Sequence, residues 1–118
     1  MQQQELREWL VEHQENCPGC GCRSSEWHQL HHVFVRRLNK QIDDLTWVPQ
    51  NCSLVCPKCH TGMGEAPDLN LNCTLQKFEW FTPDEIRDWM DSLPLKVKRG
   101  LPGFFLEAEV QWMTLQST

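Results

Sequence analysis

The stretches "CPGC" at 17–20 and "CPKC" at 56–59 each hold two cysteines separated by two residues. A turn of that length aims two sulfurs at one point, and two such turns close the tetrahedral shell that structural zinc prefers. Pro18, Gly19 and Pro57 suit these turns, because a tight turn needs preset backbone angles. Cys17, Cys20, Cys56 and Cys59 are therefore the expected ligands of a structural Zn²⁺. Cys22 can replace Cys17 or Cys20 in that set, although C-x-C is a less usual geometry. Cys52 lies too far from the second turn to be preferred, and Cys73 reads as a small core residue. A zinc clamp would pin both ends of segment 20–56 and contribute on the order of 10 kcal/mol, which matters in a chain with a modest core.

Inside the clamped segment lies "LHHVFVRR", with His31 and His32 ahead of an apolar stretch and Arg36 and Arg37 after it. Asn51 opens "NCSLVCPKCH" and His60 closes it. Imidazole titrates near neutrality, so a neutral histidine can take a proton from water at cell pH. Histidines also hold divalent cations that act as Lewis acids on phosphate. A carboxamide offers both donors and acceptors and can tie a loop together. Guanidinium forks suit phosphate oxygens.

In this order and spacing the motif resembles the HNH endonucleases, in the branch framed by two CxxC zinc knuckles. The resemblance covers about residues 17–62. It implies a ββα-metal fold around one divalent cation and hydrolysis of DNA phosphodiester bonds to leave 5′-phosphate ends. It makes His32 the general base, His31 and His60 ligands of the catalytic cation, and Asn51 the brace of the connecting loop. Many relatives carry a third ligand one helical turn after the last histidine, where this chain has Gly64. With two protein ligands and several waters the cation would be Mg²⁺ by coordination habit, or Mn²⁺, Ni²⁺ or Zn²⁺ by affinity for imidazole. By analogy with small stand-alone relatives, the setting would be phage or prophage.

These groups need elements to position them. Leu6, Trp9, Leu10 and His13 recur at helical spacing, so residues 2–15 read as an amphipathic helix with His13 at its core boundary. Residues 27–36 read as a strand, with His28 on its surface edge. Neighbours on a regular strand face opposite ways, so His31 and His32 can share a site only at a strand end or a bend. Residues 57–63 can open a short helix, and "APDLNLN" reads as a loop. "FTPDEIRDWMDSL" is a capped helix: Thr82 at the N-cap, Pro83 at the first position, Glu85 completing the capping box. Ile86, Trp89, Met90 and Leu93 are its apolar stripe, and a last helix covers 104–115. The six tryptophans suggest an aromatic core in 78–115.

The net charge of -5 counts against a general nucleic-acid binder, since phosphate contacts need cations. The charge is uneven, however: Arg23, Arg36, Arg37 and Lys40 face only Glu26 across 23–40, and Lys96, Lys98 and Arg99 form a second basic patch. Arg36, Arg37, Lys40, Lys96, Lys98 and Arg99 are the candidates for gripping DNA. Seven cysteines and no secretory signal at "MQQQELREWL" point to reduced thiols in a cytoplasmic protein, with no run long enough to cross a membrane. The expected architecture is α+β, one domain over 1–118. A zinc-clamped ββα-metal core (17–62) carries an N-terminal helix and a mainly helical extension (63–118). The expected partner is DNA, reached alone, as a homodimer or inside a larger nuclease complex. The competing reading is a non-catalytic zinc-ribbon or treble-clef module that binds nucleic acid or protein.

Overall fold

The computed structural model describes residues 1–35, 43–61, 68–94 and 100–117. Arg36, Arg37, Lys40, Gly64, Lys96, Lys98 and Arg99 lie outside them. In chain order the elements are α1 (Gln3–His13), β1 (Gln29–His32), α2 (Asp43–Thr46), β2 (Cys52–Val55), α3 (Pro57–Thr61), α4 (Leu69–Lys77), α5 (Pro83–Ser92) and α6 (Gly103–Gln116). β1 and β2 pair antiparallel, with Gln29 opposite Val55 and His32 opposite Cys52.

β1 is shorter than the strand expected over 27–36. Beyond His32 the chain bends through 33–35. The Phe34 and Val35 amides donate to Asn51 Oδ1, each at 3.0 Å, instead of to a strand. Asn51 Nδ2 donates to Val35 O at 2.8 Å and to Thr46 O at 2.9 Å. One fully buried carboxamide thus uses its whole hydrogen-bonding capacity to end the strand and hold the connection.

The outer edge of β2 is closed in a similar way. The buried Gln14, just after α1, donates to Leu54 O at 2.6 Å and accepts from Leu54 N at 2.9 Å. Its side chain mimics a neighbouring strand, so the sheet edge is covered rather than exposed. Leu6 and Leu10 of α1 then pack on Trp47, Cys52 and Leu54.

The sequence "DLNLN" forms a helix instead of the expected loop. Leu69, Cys73 and Lys77 are buried at four-residue spacing on α4, and this burial outweighs the weak helix propensity of its asparagines. Leu69 and Cys73 share a core with Cys17, Val33, Val55 and Cys56. Lys77 is buried completely. Its Nζ donates to Pro49 O at 2.9 Å and to Cys52 O, which fixes α4 on the segment entering β2.

α5 begins as its residues require. Glu85 N donates to Thr82 Oγ1 at 3.2 Å, and Thr82 N donates to Glu85 Oε1 at 3.1 Å. Ile86, Met90 and Leu93 are buried, and Trp89 is half-buried with its indole donating to Leu45 O at 3.1 Å. α6 buries Phe105 and Ala108, while Leu106, Val110 and Met113 stay exposed. The Arg87 guanidinium ties α5 to Glu109 of α6. His13 is exposed rather than at a core boundary, its ring stacked on Trp9 at 3.9 Å. The radius of gyration is 13.7 Å, and among the described residues no helix is long and apolar enough to cross a membrane.

Candidate metal centre and histidine cleft

The first cysteine turn is a small closed hairpin. Cys17 N donates to Cys22 O at 2.7 Å, Gly21 N donates to Cys17 O at 2.9 Å, and Asn16 bridges to Arg23. Gly21 has φ of +81°, a conformation in which a side chain would be strained. Gly19 N points back to Cys17 Sγ at 3.4 Å.

The second turn joins β2 to α3 and brings Cys56 to the same place: Cys20 Sγ and Cys56 Sγ are 3.6 Å apart. The sulfurs of Cys17, Cys20, Cys22 and Cys56 all lie within 4.8 Å of one another. Cys59 reaches the cluster from α3 and interacts with Cys56, Cys20 and Cys17. It lies so close to the first turn that a Cβ on Gly19 would stand 2.7 Å from its Sγ.

These sulfurs cannot all ionise side by side. Hydrogen bonds from the Cys22 main chain and then from the Cys22 and Cys56 thiols pull the Cys20 thiol down to about 6. The same contact with Cys20, followed by burial, pushes Cys22 up to about 12. Cys59 is pushed up as well, chiefly by its hydrogen bond with Cys56. A divalent cation would reverse this by supplying the positive charge that several thiolates need. The donor set therefore fits a thiophilic ion such as zinc.

His28 corrects the expectation of a surface residue. It is buried, with Nε2 at 3.4 Å from Cys22 Sγ and Nδ1 at 3.0 Å from Ser25 Oγ. Burial lowers its pKa. Arg7 of α1 holds this segment by donating to Glu26 O at 3.0 Å and to His28 O.

His31, His32 and His60 line one cleft of about 440 Å³, together with Leu30, Val33, Phe34 and Asn70. The two neighbouring histidines sit where β1 ends, and each packs against a different partner. His31 is buried, its ring 5.6 Å from that of His60 on α3. His32 packs on the buried Trp47, with ring centroids 4.0 Å apart. Asn51 stands behind the cleft: its side chain bonds main chain, and its carbonyl accepts from Val33 N at 2.7 Å just after His32.

Asn70 and Trp47 belong to this site and were not singled out in the sequence. His31 Nε2 and Asn70 Oδ1 are 2.7 Å apart. A carboxamide oxygen only accepts, so in this contact the Nε2 of His31 is the donor. The signal that places Asn70 was the spacing of Leu69, Cys73 and Lys77, which is helical once Lys77 is counted as buried. Trp47 lies in a polar connection and carries no comparable signal. No protein-family model, curated protein or solved structure matches the chain.

Proposed function

We propose that the protein is a metal-dependent endonuclease of the HNH kind, hydrolysing DNA phosphodiester bonds in the cleft lined by His31, His32 and His60. The observation that supports this reading is that the adjacent His31 and His32 meet His60, distant in sequence, in one cleft. They do so on a strand–strand–helix unit beside a thiol cluster. In this reading β1, β2 and α3 are the ββα-metal core, and a structural Zn²⁺ held by Cys17, Cys20, Cys56 and Cys59 clamps it.

His32 accepts the proton of the attacking water, since imidazole is the side chain whose ordinary titration lies near cell pH. Packing on Trp47 limits its rotation, so the accepting nitrogen is held in place. His31 and His60 hold a divalent cation, Mg²⁺ or alternatively Mn²⁺, Ni²⁺ or Zn²⁺. When bound, that cation supplies a Lewis acid for charge on the phosphate and the leaving oxygen. Asn70 accepts the Nε2–H of His31 and so sets which nitrogen offers its lone pair. Asn51 keeps the end of β1 in place by bonding the turn that follows it. Arg36 and Arg37 are the proposed donors to the scissile phosphate, and Lys40, Lys96, Lys98 and Arg99 the proposed grips on the DNA backbone.

The test is plasmid nicking by purified protein with Mg²⁺, Mn²⁺ or Ni²⁺ and with EDTA, run beside His32→Ala. Metal-dependent nicking that falls by about 10²- to 10⁴-fold in the variant is expected. Equal cutting by both proteins would assign the activity to a contaminant and leave the non-catalytic zinc module as the better reading.

A further inference from the structure

A tetrahedral zinc takes four ligands, yet a fifth thiol, Cys59, stands against the first turn beside the four whose sulfurs lie within 4.8 Å of one another. Cys17, Cys20 and Cys56 have close sulfur neighbours in any choice of four. The fifth and fourth candidates, Cys22 and Cys59, come from opposite sides: Cys22 from the end of the first turn, Cys59 from α3. Cys22 belongs to the group whose sulfurs all lie within 4.8 Å of one another. Cys59 enters through a slot that exists because residue 19 has no side chain, with the Cβ position of Gly19 only 2.7 Å from its Sγ.

Cys22 also has somewhere to go when it is not on the ion. Its Sγ is 3.4 Å from Nε2 of the buried His28, whose other nitrogen is held at 3.0 Å by Ser25. A neutral imidazole can accept from a thiol or, in its other tautomer, donate to a thiolate. The same neighbour therefore suits Cys22 both off the metal and on it.

We infer that the fourth ligand position of the thiolate centre is shared, with Cys22 and Cys59 as alternative ligands beside a constant set of Cys17, Cys20 and Cys56. The exchange is balanced without any redox step: the thiol that enters gives up a proton, and the thiolate that leaves takes one. Its consequence is mechanical. With Cys59 on the ion, α3 is tied both at Cys56, just before it, and at Cys59 within it. With Cys22 on the ion, α3 is tied at Cys56 alone, and His60, next to Cys59, is held less firmly. That consequence for the cleft rests on the endonuclease reading; the sharing of the position does not.

Elemental analysis of zinc per chain in the wild type, Cys22→Ser, Cys59→Ser and the double variant tests the inference without reference to activity. Each single variant is expected to keep one zinc per chain, and the double variant to lose it. Loss of zinc in either single variant, or its retention in the double one, overturns the inference. The wild-type protein provides a second reading should a variant fail to fold. Iodoacetamide labelling of the zinc-loaded chain, mapped by peptide mass, is expected to divide between Cys22 and Cys59 and to spare Cys17, Cys20 and Cys56. Label confined to one of the two identifies the other as the sole fourth ligand and overturns the sharing.

Discussion

The thiol centre draws its sulfurs from two turns in which the spacing of the cysteines nearly dictates where the side chains go. The histidine cleft draws on β1, α3 and α4, which no short stretch of sequence connects. The difference extends to what supports each site. Hairpin hydrogen bonds within residues 16–23 shape the first turn locally. The cleft depends on buried polar groups reaching across the fold: Asn51 holds the end of β1, and Lys77 anchors the helix that supplies Asn70. A site of the first kind survives changes elsewhere in the chain, whereas one of the second kind is lost when the packing shifts.

The largest test of this contrast is to remove the metal. Stripping zinc with a strong chelator should cost on the order of 10 kcal/mol and unfold the chain, read by loss of helical circular dichroism. A melting curve indifferent to the chelator would mean that the thiols do not hold the fold. On the proposed endonuclease reading, His32→Ala should act on chemistry alone, lowering nicking by about 10²- to 10⁴-fold while zinc content stays at the wild-type level.

Asn51→Ala strips a donor–acceptor set from four main-chain groups, three of them in buried bonds. A loss of about 3–5 kcal/mol in urea unfolding is expected, with the isolated zinc turns still able to bind metal. Asn70→Ala should be milder. On the same reading, the affinity for the proposed activating cation should fall about 10-fold with zinc content unchanged, because only the orientation of His31 is loosened. An unaltered metal titration would remove Asn70 from the site.

The last test concerns Lys77, whose ammonium is pulled down to about 8 chiefly by burial. Between that value and the ordinary lysine value the unfolded chain holds the proton and the folded chain does not. The unfolded state therefore binds more protons, and this group's contribution to stability rises with pH. Buried Cys52 and Cys73, pushed up to about 12 and about 11, work in the opposite direction. The comparison is therefore wild type against Lys77→Met, in which both cysteines stay buried and lose only the nearby charge that lowers them. Stability of the wild type relative to the variant should rise by about 1.4 kcal/mol per pH unit between roughly pH 8 and 10.

Some of this architecture was legible in the residues. The Thr82, Pro83 and Glu85 cap announces α5 because each partner in a capping box is local. Two CxxC turns announce a thiol cluster for the same reason. α4 was not legible, because its helical stripe includes a lysine that only a buried pair of carbonyls makes tolerable. His28 was not legible either: its burial depends on α1 reaching over through Arg7, an interaction between residues 21 positions apart.

By itself, then, the sequence determined what adjacent residues can decide: the turns that gather cysteines, the helix with its own cap, and the placing of two histidines next to each other at an apolar run. The tertiary structure decided that the strand ends at His32, before that run, and what each histidine packs against. It also decided that Asn70 and Trp47 join them and that the Cys22 sulfur comes within 4.8 Å of that of Cys56. The physical reason is range. Turn geometry and capping act over a few bonds, whereas burial and the pairing of buried polar groups are settled only when distant segments exclude water together.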